Sequence, residues 1–91
     1  MRVELRNRTV NKNEVTIETS KASLRIFFSY KTPICFVLRT SKDYINMTRK
    51  NDWSVTTGKF LNELQPDKNK RVSGEVFEKA LEKALKEVLK K

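Results

Sequence analysis

The chain has 91 residues, 37% of them hydrophobic and 34% charged, and 20 Lys+Arg against 11 Asp+Glu give a net charge of +9. This length sustains one domain, residues 1–91, with one modest core, burying roughly 60–65% of the surface its unfolded form exposes. A chain with no histidine and one cysteine lacks a zinc-ligand set, a Ser-His or Cys-His pair and an internal disulfide.

The pattern along the chain predicts an α+β domain, with five short antiparallel strands over residues 2–48 and two helices covering one face. Val3 and Leu5 alternate with Arg2, Glu4, Arg6 and Arg8, the period of a half-buried strand. Asn11-Lys12-Asn13 reads as a turn, and Val15 and Ile17 alternate with Glu14, Thr16 and Glu18 in a second strand. After a break at Ser20-Lys21-Ala22 comes the densest apolar run, Leu24 to Leu38, interrupted at Lys31-Thr32-Pro33. It divides into two central strands. Leu24, Ile26, Phe28 and Tyr30 share one face, and after the turn Ile34, Phe36 and Leu38 share a face opposite Cys35, Val37 and Arg39. Tyr44, Ile45 and Met47 make a weaker fifth strand. Strands joined by such short connections pair as an antiparallel meander.

The character changes at Trp53. Val55-Thr56 followed by Phe60, and Val72-Ser73 followed by Phe77, each place a hydroxyl N-cap after a valine that can staple onto the phenylalanine. The first helix is expected over about residues 57–65, stopped by Pro66, and buries Phe60, Leu61 and Leu64. The second is expected over about residues 74–90, with an apolar stripe of Val76, Phe77, Ala80, Leu81, Ala84, Leu85, Val88 and Leu89. Glu75–Lys79, Glu82–Lys86 and Glu87–Lys91 are favourable i,i+4 pairs.

The residues supply no catalytic set, metal set or cofactor motif, and an enzyme is not expected. Thr56-Thr57-Gly58-Lys59 is like the end of a phosphate-binding loop, but Trp53 stands where glycine and Phe60 where a magnesium-binding hydroxyl would be needed. Thr57, Gly58 and Lys59 still open a helix and are the candidate anion site.

Two stretches carry a resemblance. Ser29-Tyr30-Lys31-Thr32-Pro33-Ile34-Cys35-Phe36 and Trp53-Ser54-Val55-Thr56-Thr57-Gly58-Lys59-Phe60-Leu61-Asn62 resemble small uncharacterised proteins of phages, archaeal viruses and plasmids that read S-Y-x-T-P-V-A and then W-S-x-T-T-x-K-H-I-N. The likeness spans about residues 26–64. It departs at Cys35, where alanine is usual, and at Phe60, where histidine is usual. It implies a mobile-element origin and concerted action of Tyr30, Thr32, Pro33, Trp53, Ser54, Thr56, Thr57 and Lys59, without an activity.

The charge is uneven. Residues 1–50 hold 11 Lys+Arg against 4 Asp+Glu, and residues 51–91 hold 9 against 7. The excess favours polyanions, and the reading is DNA or RNA binding through a basic sheet face. Its candidate contacts are Arg6, Arg8, Arg25, Lys31, Arg49, Lys50, Lys59, Lys70 and Arg71, with Arg39 extending the face and Tyr30 and Trp53 as stacking residues. The alternatives are an inhibitor or adaptor binding a host protein, and a self-assembling structural protein. The expected state is a monomer or homodimer in the cytoplasm, without membrane contact: the longest apolar run is far short of a span.

Overall fold

A computed structural model describes residues 2–9, 12–50, 61, 64, 65, 67 and 70–89. The architecture is α+β: a five-stranded antiparallel meander followed by a C-terminal helix. The strands are β1 (Arg2–Thr9), β2 (Lys12–Glu18), β3 (Ala22–Ser29), β4 (Thr32–Thr40) and β5 (Tyr44–Thr48), in spatial order β1-β2-β3-β4-β5. The helix α1 spans Gly74–Leu89. Lys12 and Asn13, expected in a turn, already belong to β2, where they pair with Ser29 and Phe28.

Two connections use the same device. The Thr19 hydroxyl accepts the amides of Lys21 and Ala22, while its own amide donates to the Ala22 carbonyl at 2.8 Å. Between β4 and β5 the Thr40 hydroxyl accepts the amides of Lys42 and Asp43, and its amide donates to the Asp43 carbonyl at 2.9 Å. A threonine side chain here mimics a backbone turn. The β3–β4 hairpin is built differently. Its two-residue loop, Tyr30-Lys31, holds Tyr30 at φ 56°, where hairpin loops favour glycine. Tyr30 is therefore an exposed loop residue, not the core-facing end of β3.

One face of the sheet carries the main core. Leu24 and Ile26 of β3 and Phe36 and Leu38 of β4 pack with Phe77, Leu81, Ala84 and Val88 of α1, with Ile17, Phe28 and Met47 against their margin. The Phe36 and Phe77 rings lie 5.6 Å apart at a tilt. The start of α1 follows its sequence signature: the Ser73 hydroxyl accepts the Val76 amide at 3.3 Å and Val72 packs against the core. The pairs Glu75–Lys79 and Glu82–Lys86 form at 3.6 and 3.4 Å, while Lys91 lies outside the described residues.

Ile34 leaves the face expected of it. Phe27 pairs with Cys35 but Phe28 with Pro33, so β4 carries an extra residue, and such a bulge re-aims the side chain. Ile34 joins Phe27, Cys35 and Leu61 in a second cluster, with Val37 and Leu64 packed against it. Phe27, Cys35 and Val37 alternate with the main-core residues, so this cluster is on the opposite face. Most of the expected first helix lies outside the described residues, but Leu61 and Leu64 are helical and the Gln65 amide donates to the Leu61 carbonyl at 2.7 Å. The expectation that both helical segments cover one face is thus corrected: α1 covers one side, and Leu61 packs against the other.

Candidate functional site: the polar face of the sheet

The strand period sets Arg2, Glu4 and Arg6 of β1, Glu14, Thr16 and Glu18 of β2, Ser23 and Arg25 of β3, Val37 and Arg39 of β4, and Tyr44 of β5 on the face opposite α1. Cross-strand register decides the electrostatics within this face, because directly opposed residues come within about 4.5–5.5 Å at Cβ.

In the β1–β2 half, arginines meet glutamates. Arg2 lies 3.4 Å from Glu4 and 3.3 Å from Glu18, and Arg6 lies 3.7 Å from Glu4 and 3.9 Å from Glu14. Arg25 reaches Glu14 at 3.6 Å. Three arginines share three carboxylates, so this half is a nearly neutral lattice rather than the basic surface expected from Arg6 and Arg25.

The β3–β5 half differs. Among the described residues, Ser23, Arg25, Val37, Arg39 and Tyr44 line a shallow hollow of about 200 Å³, and none of these is a carboxylate. Register places Arg39 beside both Ser23 and Tyr44, and Arg25 beside Val37. The Arg39 guanidinium sits 5.4 Å from the Tyr44 ring centroid, and Tyr44 is 60% exposed. Two guanidinium groups, a hydroxyl and an exposed aromatic ring, one face of which carries Arg39, line one floor. Such a set offers phosphate donors beside a stacking platform. Arg25 was expected in the site from the alternation; Ser23 and Tyr44 were not. Their signal was the pairing of β4 with both neighbours, which strand period alone does not order.

The other expected contacts disperse. Arg49 is 8% exposed, lies 3.5 Å from Glu78 and 5.8 Å from the Phe77 ring centroid, and its amide donates to the Ile34 carbonyl. It fastens the end of β5 to the start of α1. Arg71 is 7% exposed and donates through Nε and Nη2 to the Gln65 carbonyl at 3.2 and 3.0 Å. Both are buried cations that join elements, not the exposed side chains expected of them. Lys31 and Tyr30 are exposed together in the β3–β4 loop, and Lys50 and Lys70 are exposed near the bridge between Arg49 and Val72. Arg8 is in β1 but its side chain is outside the description, as are Trp53, Thr57, Gly58 and Lys59.

Cys35 is buried. Burial pushes its thiol above the ordinary value, and the Thr48 hydroxyl, donating at 3.2 Å, partly offsets this. No helix among the described residues is long and apolar enough to cross a membrane.

A family model described as a family of unknown function, DUF8033, matches residues 3–79. The chain belongs to DUF8033. The matched span contains the five described hollow-lining residues and the first turn of α1. No curated protein and no solved structure matches.

Proposed function

We propose that this protein binds single-stranded nucleic acid on the hollow of its polar sheet face. The observation that carries the reading is a floor of Arg39, Ser23 and exposed Tyr44, with Arg25 at its side and no carboxylate among the described lining residues. In this role Arg39 holds a backbone phosphate, Arg25 stands at the margin with its charge shared by Glu14, the Ser23 hydroxyl donates to a phosphate oxygen, and Tyr44 takes the face of an adjacent base. Single strands suit it better than duplex, because a stacking platform needs an unpaired base. The exposed Lys31, Lys42, Lys50 and Lys70 add attraction that does not depend on sequence. The virus or plasmid origin implied by the two motifs fits such a small nucleic-acid partner, and the host cytoplasm is the proposed location.

A mobility-shift assay at low and moderate salt, with single-stranded and duplex DNA and RNA of one sequence, tests the proposal. Single strands should shift at low salt and release as salt rises, and Tyr44→Ala should weaken binding by about 1–3 kcal/mol, the worth of one stacked base. Absence of any shift at low salt would end it.

A further inference from the structure

Among the described residues β1 is a sheet edge, with β2 as its only strand neighbour. Its apolar residues face the side that α1 covers, yet Val3 is 60% and Leu5 66% exposed, because the helix reaches across the sheet only as far as Ile17 of β2. An eight-residue edge with two uncovered apolar side chains is a template for another strand. The opposite edge is engaged at its end, where the Val72 amide donates to the Thr48 carbonyl at 2.9 Å and the Lys50 amide to the Val72 carbonyl at 2.7 Å.

The strand's own charges indicate the occupant. We infer that β1 pairs antiparallel with β1 of a second copy of this chain, with Leu5 opposite the partner's Leu5. In that register Glu4 faces the partner's Arg6, and by symmetry Arg6 faces the partner's Glu4, so two opposite-charge pairs flank an apolar centre. Neighbouring registers that keep like faces together are worse. Centring on Glu4 opposes two glutamates and sets Arg2 against the partner's Arg6. Centring on Arg6 opposes two arginines. Centring on Val3 leaves only a short overlap. The chosen register does set Arg2 opposite the partner's Arg8, but only at the two ends of the ladder. Leu5 then lies between Val15, its partner in β2, and the partner's Leu5. The product is one continuous ten-stranded sheet with a hollow from each copy on the same face.

Cross-linking reads the register directly. Directly opposed residues of an antiparallel pair have Cα atoms about 4.5–5.5 Å apart, within disulfide reach. Leu5→Cys should therefore give a covalent dimer under mild oxidation. Val3→Cys should not, because its symmetry mate lies four residues along the strand, roughly 14 Å away. Cys35 is 2% exposed and remains silent. Light scattering of the unmodified chain should give twice 10.7 kDa, and Glu4→Arg should shift it toward one chain. A single-chain mass for the unmodified protein at every concentration, or cross-linking through Val3→Cys in place of Leu5→Cys, would overturn the inference.

Discussion

Tyr30 occupies a backbone conformation that favours glycine and disfavours a bulky side chain, and its ring stays exposed. Strain of this kind costs about 1–3 kcal/mol. Tyr30→Gly is therefore expected to raise the urea midpoint, since relief of the strain outweighs the added chain entropy; a lowered midpoint would show that the ring contributes packing that the loop geometry hides. Cys35 makes a second residue-level case. Its thiol pKa is raised in the folded state, so its contribution to stability is complete below the ordinary value of 9.0. Above that the unfolded chain sheds the proton first, and stability falls with rising pH. Cys35→Ser should flatten this alkaline decline in a denaturation series between pH 8 and pH 10, although the serine itself costs stability at every pH.

Gly74 and Arg49 hold the helix to the sheet. A Cβ on Gly74 would collide with the terminal guanidinium nitrogen of Arg49 and come within 2.9 Å of its Cζ. The guanidinium is the far end of a flexible side chain, but it is 8% exposed, and its displacement would loosen its contacts with Glu78 and the Phe77 ring. Gly74→Ala should cost about 1–3 kcal/mol by overpacking, against the gain in helix propensity that alanine brings at an unconstrained position. Phe77→Ala, which empties the centre of the main core, should cost about 3–5 kcal/mol. Chemical denaturation checks both. The five strands and α1 were legible in the sequence because period two and period 3.6 are local properties of the chain. Ile34 was not, because its face depends on a bulge set by how β3 and β4 register. Leu61 was not, because an apolar residue on a short helical segment carries no mark of which side of a sheet it will meet.

At the scale of the molecule, a net charge of +9 says less than its arrangement. Arg2, Arg6 and Arg25 carry strand-alternation signatures like that of Arg39, yet the first three lie against glutamates. Arg39 faces Tyr44 and Ser23 instead. Arg49 and Arg71, which sequence reading also counted as surface cations, are consumed in joining elements. Such a distinction rests on cross-strand neighbours, and those become visible only once the register is known. It also separates two kinds of variant. Arg6→Ala should leave nucleic-acid affinity within about threefold of the unmodified chain, since its charge is already shared with Glu4 and Glu14, whereas Arg39→Ala should weaken binding by more than that.

The most direct measurement is fluorescence anisotropy of a labelled single strand titrated with the protein across a salt series, for the unmodified chain and for Arg39→Ala. Each phosphate contact on a single strand contributes about −0.7 to the slope of log affinity against log salt. The account predicts measurable binding at low salt and a slope about 0.7 shallower in the variant. Equal slopes, or no binding by the unmodified chain, would contradict it.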